Sequence, residues 1–333
     1  MTKPNGPHRT LSIGGASYDI FVNVEAMADT KDGEQVIHLP VGAKVMIDRI
    51  QETAGGGAMN SSVGLARLGM KASFCGVLGD DQWGQRLMET LKKEGVDGTT
   101  ATVAEHETTG FSIVLLLPNG ERTILHHHGT NRHLDDVTFA QDVIPQCDAV
   151  YLNRLSDDAC IIENDIVAML EKHPAIHLTW NPGGCQIAAT MNAEDKAALL
   201  KQTDLLLLNK EEAEIFTGKK DIKEQLSILF ERGVKHVCIT DGKNGSYAYD
   251  GMNMVHCPCI NNVIIVDTTG AGDAFGTGMT WALLAGKDLK NALKAGTINA
   301  ASVISAIGAE SGLLTETQMI EKMQSVSLEI SSF

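Results

Sequence analysis

The 333-residue sequence contains no run of 18 apolar residues, so it offers no candidate for a transmembrane helix. Its first fifteen residues, MTKPNGPHRTLSIGG, lack the apolar stretch of a signal peptide. Positive charge is scarce, because 27 Lys and Arg stand against 42 Asp and Glu and give a formal net charge of −15. An acidic surface repels duplex DNA and anionic lipid. We therefore expect a cytoplasmic protein with no nucleic-acid partner and no membrane partner.

Disulfide and zinc frameworks are also missing. The seven cysteines lie far apart, their number is odd, and most sit in apolar runs such as ASFCGVLG and KHVCITDG. Cys257-Pro258-Cys259 has no second cysteine pair nearby, which argues against a zinc site. We expect reduced cysteines that belong mostly to the core.

The familiar nucleotide-binding signatures are absent as well. No segment matches the phosphate loop G-x-x-x-x-G-K-[ST], and the signature set of the protein kinases is missing. Internal repeats and low-complexity linkers are not found either. If the chain binds a nucleotide, it must do so with another arrangement of residues.

What the sequence does contain is an alternation of short apolar runs and amphipathic segments. This alternation predicts an α/β fold with a mainly parallel central sheet between helices, in a single domain spanning residues 1–333. The predicted strands are 9–15, 71–79, 148–153, 175–181, 204–209 and 235–242, and the predicted helices are 58–69, 82–94, 158–172, 210–217, 221–232, 271–286 and 289–307, with a last helix after LTETQM.

Two stretches interrupt the alternation, at about 18–50 and 99–128. Both are typical of period-2 strands joined by turns, and PNGE at 118–121 is a hairpin signal. We interpret them as a small antiparallel β-sheet inserted into the α/β body as a lid. Exposed edges of such a sheet can pair between subunits, so we expect a homodimer formed through the lid.

The segment VDTTGAGDAFGTGM, residues 266–279, carries the clearest chemical signal. We expect it to pass from a strand in NNVIIV through a glycine turn into a helix. Free N–H groups at a helix start attract anions, and glycines let a ligand approach the backbone. Gly270, Ala271 and Gly272 are therefore suited to hold a phosphate or a developing oxyanion beside Asp273.

Three interpretations of this turn compete. In the first, Asp273 serves as a plain N-cap, a role that Asp fills well. A dinucleotide fingerprint also matches loosely, but the motif lies in the last quarter of the chain and no acid-ended strand follows about 20 residues later. In a phosphoryl-transfer site, Asp273 would accept an alcohol proton while the N–H groups hold the phosphoryl group. Because a helix start stabilises the anion, we expect the pKa of Asp273 to stay low.

Four stretches, in the same order along the chain, resemble signatures of the ribokinase-like (PfkB-type) carbohydrate kinases. They are GGGAMNSSVGLARLG (55–69) followed by GVLGDDQWG (76–84), LLLLNKEEAEIFTG (205–218), ITDGKNGSYAY (239–249) and DTTGAGDAFGTGM (267–279). The resemblance covers nearly the whole chain. It implies a mainly parallel sheet with a small β lid over a sugar site. It also implies transfer of the ATP γ-phosphoryl group to a hydroxyl, usually of a sugar or nucleoside.

The resemblance also implies roles for individual residues near the acceptor. Asp273 would be the catalytic base, and Asp19 in GGASYDIF would hold substrate hydroxyls. The alternative for Asp19 is a carboxylate on the lid surface. The anion hole would comprise Gly270, Ala271 and Gly272, and the sugar-contact turn would comprise Gly55, Gly56, Gly57 and Asn60, with a strand-to-helix turn and a solvent-facing Asn60 as the alternative.

On the nucleotide side, Asn209 and Glu212 form an N-x-x-E pattern that in the family acts near ATP, with Glu212 reaching Mg²⁺ through water. The same pattern is also a helix capping box. Asp267 corresponds to a family residue near a monovalent cation, and hard oxygen donors there suit K⁺. The chain departs from the family at Gly312, where an oxygen donor is usual. The remaining nucleotide contacts would be Thr240, Gly242, Gly245 and Asn299, with a β-turn or helix packing as the alternative.

We expect an ATP-dependent kinase that uses Mg²⁺ and phosphorylates a small sugar. One alternative is an adenosine-type nucleoside kinase, in which Phe21, Phe111 and Ile113 would enclose a base. Another is a catalytically silent sugar-binding or regulatory protein, against which the intact Gly-Ala-Gly-Asp turn argues. An acidic acceptor would need an arginine, and Arg122 and Arg154 leave that open, with a surface ion pair as the alternative for each. In HHHG (126–129) at most two histidines can converge, because neighbours on a strand point to opposite faces.

Overall fold

A computed structural model describes residues 6–24, 28–31, 34–47, 49–117, 122–134, 141–155, 162–188 and 196–333. The predicted PNGE turn at 118–121, the predicted helix start at 158–161 and Cys160 lie outside the described residues.

The strands of the described residues are β1 (Arg9–Ile13), β2 (Ser17–Asn23), β3 (Ala28–Lys31), β4 (Glu34–Ile37), β5 (Ile50–Gly55), β6 (Lys71–Cys75), β7 (Val77–Gly79), β8 (Thr102–Ala104), β9 (Phe111–Leu116), β10 (Arg122–His127), β11 (Ala149–Leu152), β12 (His177–Trp180), β13 (Leu205–Asn209), β14 (His236–Thr240), β15 (Ser246–Tyr249), β16 (Met254–Cys257) and β17 (Ser331–Ser332). The helices are α1 (Gly57–Arg67), α2 (Gln82–Lys93), α3 (Ile162–Lys172), α4 (Cys185–Ala188), α5 (Ala197–Gln202), α6 (Lys210–Thr217), α7 (Ile222–Glu231), α8 (Ala271–Leu284), α9 (Leu289–Val303) and α10 (Glu316–Ser325). None of these helices is long and apolar enough to cross a membrane.

The central sheet has nine strands in the order β17-β16-β15-β14-β13-β12-β11-β1-β6. The six strands from β6 to β14 are parallel, and β15, β16 and β17 extend the sheet in antiparallel fashion. Strand β13, LLLLN, shows why the sheet is covered on both faces. Leu205 and Leu207 pack into one core cluster, while Leu206 and Leu208 pack into the other. A strand that is buried on both faces must be apolar throughout.

Helices cover both faces of this sheet. One core cluster joins the sheet to α1, α2, α8, α9 and α10, and the other joins it to α3, α5, α6 and α7. Helices α8 and α9 approach so closely that a Cβ at Gly278 would lie 2.7 Å from the backbone oxygen of Ala295. The α/β class and the mainly parallel sheet predicted from the alternation are confirmed.

A second sheet has the order β10-β9-β2-β5 and contains part of the strands expected in 18–50 and 99–128, whereas β3 and β4 pair with each other and β8 pairs with β7 in separate two-stranded sheets. Its two outer pairs are antiparallel, but the central pair β2 and β9 is parallel. This pair is parallel because the chain between β2 and β9 passes through α1, β6 and α2, a crossover connection that parallel strands require. Residues 41–47, which the periodicity assigned to a strand, contain a turn and no strand, and Met46 is 79% exposed.

Other differences from the predicted strands have local causes. The predicted strand 71–79 divides at Gly76, where a Cβ would lie 2.6 Å from the backbone oxygen of Gly14. The strand expected in NNVIIV is wrong, because residues 258–270 form no strand and Ile264 is 77% exposed. Pro258 ends β16, and the sheet position beside β16 is taken by β17.

Candidate active site

Polar residues follow neighbouring parallel strands at one edge of the central sheet. Asn153 follows β11, Asn181 follows β12, and Asn209 and Thr240 are the last residues of β13 and β14. Since parallel strands place their carboxyl ends at the same edge, these side chains lie along one crevice. Open α/β sheets bind their ligands in such crevices.

Helix α8 begins at this edge directly behind the glycine turn. Its N-cap is Gly270, which has φ +75°, so Asp273 lies in the first turn and is not the N-cap. A Cβ at Gly270 would lie 2.3 Å from the Cβ of Ala309, which together with the positive φ requires glycine here. A Cβ at Gly272 would contact nothing within 4 Å, so the space beside this backbone is open to a ligand.

Two asparagines hold the carboxylate of Asp273. Asn60 donates its Nδ2 to Oδ2 at 2.8 Å, and Asn181 donates its Nδ2 to Oδ1 at 3.4 Å. Asn60 is buried, so the solvent-facing alternative for this residue is excluded. Asn181 was not singled out from the sequence. The signal that would have found it is its position after the apolar strand AIHLTWN, which matches the position of Asn209 after DLLLLN.

Burial raises the pKa of Asp273 to about 6, against the opposing effect of the hydrogen bond from Asn60. The expectation that this pKa stays low is therefore wrong. Desolvation of the half-buried carboxylate outweighs the stabilisation from the helix start. A carboxylate whose conjugate acid has a pKa near 6 is a stronger base than an ordinary aspartate, and it is still mostly ionised at neutral pH.

Asp19 lies on β2 beside the predicted sugar-contact turn. It is buried, so it is not a surface carboxylate, and Ser17 Oγ donates to its Oδ1 at 3.0 Å. A Cβ at Gly55 would lie 2.1 Å from Oδ2 of Asp19. Burial raises the pKa of Asp19, against hydrogen bonds from Ser112 and Ser17. Glycine at position 55 thus leaves the space that this carboxylate occupies.

The start of α1 closes against the neighbouring strand ends. Gly56 has φ +92°, and a Cβ there would lie 2.5 Å from the Cα of Ala16. A Cβ at Gly57 would lie 3.1 Å from the Cβ of Asn153. The glycine turn therefore brings the helix start, and with it Asn60, within reach of Asp273.

A cavity of about 240 Å³ opens at this turn. Its lining residues are Gly15, Ser17, Gly56, Gly57, His126, His128, Asn131, Arg154 and Leu155. His126 and His128 lie on one face with ring centroids 4.7 Å apart, while His127 packs on Phe111 with centroids 5.4 Å apart. This arrangement agrees with the expectation that at most two of the three histidines can converge.

A second cavity, of about 510 Å³, ends at the glycine turn before α8. Three of the predicted nucleotide residues line it, namely Thr240, Gly242 and Gly245. Ala271 and Gly272 of the predicted anion hole line its other end, and the remaining lining residues are Lys243, Ser246, Cys259, Ile260, Asn261, Asn262, Val263, Ile265, Thr268, Phe275, Thr297, Ala300, Ala301 and Ile304. A mainly apolar cavity of this size is typical of small-molecule and cofactor sites.

Asn209 and Glu212 form a capping box at the start of α6. Asn209 Oδ1 accepts from Glu212 N at 2.8 Å, and Glu212 Oε2 accepts from Asn209 N at 2.8 Å. Neither residue is among those that line the larger cavity. Burial raises the pKa of Glu212. The pair therefore forms the helix capping box that was considered as the alternative. Oε1 of Glu212 takes no part in the two hydrogen bonds of this box.

Asn299 packs against α8 and not into the larger cavity. Its fully buried Nδ2 donates to Ala274 O at 2.8 Å and to Thr277 Oγ1 at 3.1 Å. Its Oδ1 accepts from Leu314 N at 3.2 Å. The structure therefore places Asn299 in helix packing, the alternative considered for it, while Thr297 and Ala300 of the same helix line the cavity.

Asp267 is fully buried and ties two loops together. Its Oδ1 accepts from Thr269 N at 2.9 Å and from Thr269 Oγ1 at 2.8 Å, and its Oδ2 accepts from Gly308 N at 2.9 Å. A Cβ at Gly312 would lie 2.3 Å from Ser302 O, which leaves no room for an oxygen-bearing side chain at position 312. Among the described residues, no three His, Cys, Asp or Glu side chains form a metal cluster.

Asp273 is linked to both cavities through its neighbours. Gly272, its neighbour in the chain, lines the larger cavity, and Asn60, its hydrogen-bond partner, belongs to the helix whose first residue lines the smaller one. Cavities of about 510 and 240 Å³, a helix start without a side-chain cap and a carboxylate with a raised pKa form an arrangement that is typical of a phosphotransferase site.

Comparison with known proteins identifies the family. The model of the pfkB family carbohydrate kinases matches residues 21–316, and the chain belongs to this family. A ribokinase of Haemophilus influenzae is 28% identical over 306 residues, which cover 88% of this chain and 96% of that protein. A 5-dehydro-2-deoxygluconokinase of Bacillus subtilis is 25% identical, with 82% and 87% coverage. The solved structure of Arabidopsis thaliana ribokinase complexed with ribose and ATP has a TM-score of 0.78 at 23% identity, with 96% and 99% coverage.

Proposed function

We propose that this carbohydrate kinase transfers the γ-phosphoryl group of ATP to a hydroxyl of a small sugar, with Asp273 as the base. The observation that carries the proposal is the position of Asp273 in the first turn of α8, next to Gly272 of the larger cavity and hydrogen-bonded to Asn60 of α1, with a pKa raised to about 6. The larger cavity takes the nucleotide, and the smaller cavity takes the acceptor.

The reaction forms one P–O bond and breaks another. The acceptor oxygen attacks the γ-phosphorus, the bond from that phosphorus to the β,γ-bridging oxygen breaks, and ADP leaves. Asp273 accepts the acceptor's hydroxyl proton, held in place by Asn60 and Asn181. The backbone N–H groups of Gly270 and Gly272 are available for the charge that develops on the transferring group, since the helix start has no side-chain cap, while the N–H of Ala271 donates to Thr268 O at 3.3 Å.

Acceptor binding uses the buried carboxylate and the glycine turn. Asp19 is oriented by Ser17, and its two oxygens suit neighbouring hydroxyls of a sugar. Gly55, Gly56 and Gly57 let the ring approach the backbone. Thr240, Gly242 and Gly245 line the nucleotide cavity, where Lys243 adds a positive charge.

Magnesium bound with ATP would neutralise part of the phosphate charge. Oε1 of Glu212, which the capping box leaves free, fits the single water-mediated carboxylate contact that such a magnesium ion uses. At the predicted K⁺ position, the bonds of Asp267 orient the surrounding loop, so a bound cation would rely mainly on backbone oxygens.

The second sheet serves as the lid in this proposal. Arg122 on β10 donates to Thr268 Oγ1 at 2.5 Å, which connects this sheet to the loop that precedes the anion hole. A lid in this position keeps water from the phosphoryl group during transfer. The homodimer through the lid remains a prediction, which light scattering of the purified protein will test.

The nucleoside alternative gains no support from the side chains considered for it. Phe21 is 3% exposed, Phe111 packs on His127, and Ile113 packs in a small cluster of the second sheet. None of the three is among the described residues that line the acceptor cavity. The silent-binder alternative has the hydrogen-bonded, basic Asp273 against it.

The test is ADP release against sugars, sugar acids, sugar phosphates and nucleosides, with Asp273→Asn as the matched variant. Removing the base should lower kcat by about 10²–10⁴-fold, with little change in nucleotide affinity. Circular dichroism and calorimetric ATP binding show whether the variant is folded. Activity retained by Asp273→Asn would contradict the base assignment, and inactivity of the wild type on every acceptor would favour a silent binder.

A further inference from the structure

We propose that the acceptor is a sugar acid whose carboxylate is bound by Arg154 together with His126 and His128. This inference rests on the proposed function and specifies its substrate class. The juxtaposition that carries it is a guanidinium and two imidazoles around one acceptor-sized cavity.

The described residues that line this cavity carry cationic and neutral groups but no carboxylate. Arg154 forms no ion pair among the described residues; Glu212 lies close enough for its charge and that of Arg154 to interact, but it does not line the cavity. A guanidinium that faces a cavity without a counter-ion is a strong site for a planar anion, because its N–H groups match the two oxygens of a carboxylate. A neutral polyol would leave this charge without a partner.

Arg154 has a prepared position. Its side chain lies across two glycines, and a Cβ at Gly183 would be 2.8 Å from Arg154 Cδ. Gly184 has φ +54°, and a Cβ there would be 2.9 Å from Nη2. Any larger residue at either position would displace the guanidinium, so the loop after β12 is shaped to carry it.

A buried polar network fixes this loop relative to Arg154. Gln186 Oε1 accepts from Leu155 N at 3.0 Å and from Gly183 N at 3.2 Å. Gln186 Nε2 donates to Glu163 Oε1 at 3.0 Å, and Glu163 forms a buried ion pair with Lys196. Through Gln186, the network ties the backbone at Leu155 to the backbone at Gly183. Because this backbone is fixed beforehand, Arg154 loses little conformational entropy when it binds an anion.

The histidines complete the anion site from the second sheet. His126 and His128 project to the same face, and Ser112 Oγ lies 3.2 Å from Nδ1 of His126. Their ring N–H groups supply further hydrogen-bond donors for a carboxylate.

A rival role for Arg154 is contact with the phosphates. The charge of Arg154 interacts with Glu212. Burial raises the pKa of Glu212, and Arg154 partly opposes this rise. A phosphate role would make Arg154 matter equally for every acceptor, whereas a carboxylate role makes it matter only for acids. The two roles therefore differ in a measurable ratio.

The experiment compares acceptors that differ at one carbon. 2-Keto-D-gluconate and D-fructose share their skeleton and differ only in carboxylate against hydroxymethyl at C1. D-gluconate with D-glucitol and D-ribonate with ribitol are analogous pairs. We expect kcat/KM for at least one acid to exceed that of its neutral partner by about 10- to 100-fold, the range expected for hydrogen bonds to a charged group.

Arg154→Gln should reduce this acid-to-neutral ratio by about 10- to 100-fold, mainly through KM for the acid. His128→Gln should reduce it by a smaller factor, and it provides a test if Arg154→Gln does not fold. Arg132→Gln is the matched control, because Arg132 is an exposed arginine of the neighbouring segment that does not line the cavity.

The outcomes separate this inference from the proposed function. Phosphorylation of neutral sugars without preference for any acid overturns the sugar-acid inference and leaves the kinase intact. An equal loss for acids and neutral sugars in Arg154→Gln, with a raised KM for ATP, also overturns it. Absence of turnover with every acceptor contradicts the proposed function itself.

Discussion

Replacing Asp273 by Asn should stabilise the folded protein while it removes activity. The pKa of this carboxyl rises from its ordinary value of 3.8 to about 6, chiefly through burial. The folded state therefore binds the proton more tightly than the unfolded state, so the ionised carboxylate lowers stability at any pH above both values. This contribution is absent well below pH 4 and reaches its full size above pH 6.

The magnitude follows from the shift. About 2 pKa units at 1.36 kcal/mol each give about 3 kcal/mol, and solvent access to the half-buried group reduces this to about 1–2 kcal/mol. Asn keeps the shape of Asp and an oxygen that accepts from Asn60, and it loses only the longer bond of 3.4 Å from Asn181. The free energy of unfolding of Asp273→Asn should thus exceed that of the wild type at pH 8, and by less at pH 5.

Urea denaturation at both pH values measures this difference. Asp250→Asn is a control of opposite sign, because backbone N–H groups of Asn253 and Met252 lower the pKa of Asp250 despite the opposing effect of burial. A variant at Asp273 that is equally stable or less stable than the wild type at pH 8 would refute the reasoning. A difference in the free energy of unfolding between variant and wild type that is the same at pH 5 and pH 8 would also refute it.

Two further pairs of substitutions test the geometry of the turn and of the base. Gly270→Ala should destabilise the protein by about 1–3 kcal/mol, because φ at Gly270 is +75° and the new Cβ would clash with Ala309. Gly272→Ala should leave the thermal midpoint nearly unchanged or raise it, because its new Cβ would contact nothing within 4 Å. Asn60→Ala removes the bond that opposes the raised pKa of Asp273, so the acidic limb of kcat/KM should move to higher pH by about 1 unit. Asn181→Ala should move it less, because its bond is 3.4 Å long, and the affinity for ATP should be the same in both variants. Equal thermal midpoints for the two glycine variants would contradict the account of the turn. Equal shifts of the acidic limb of kcat/KM in the two asparagine variants would contradict the account of the base.

Local pattern was sufficient for most of the central sheet. The helix predicted at 210–217 has those bounds in the structure, because Asn209 caps its start and Gly218, with φ +69°, ends it. Strand β13 was recognisable because an unbroken apolar run suits a strand buried on both faces. Such signals are carried by the segment itself and need no tertiary partner.

Other features depend on partners that are distant in sequence. Whether VIIV at 263–266 joins the sheet depends on β17, which occupies the edge and lies near the end of the chain, at Ser331–Ser332. The raised pKa of Asp273 depends on burial that the helix start does not reveal. The environment of Arg154 depends on Gly183 and Gly184, which only the fold brings beneath it.

The most direct test of the central claim is a crystal structure with ADP, magnesium, aluminium fluoride and a turned-over acceptor. We predict that the metal fluoride, which mimics the transferring phosphoryl group, lies against the backbone N–H groups of residues 270–272. We also predict a hydrogen bond between the acceptor hydroxyl and the carboxylate of Asp273. A metal fluoride bound elsewhere, or an acceptor hydroxyl out of reach of Asp273, would contradict the account.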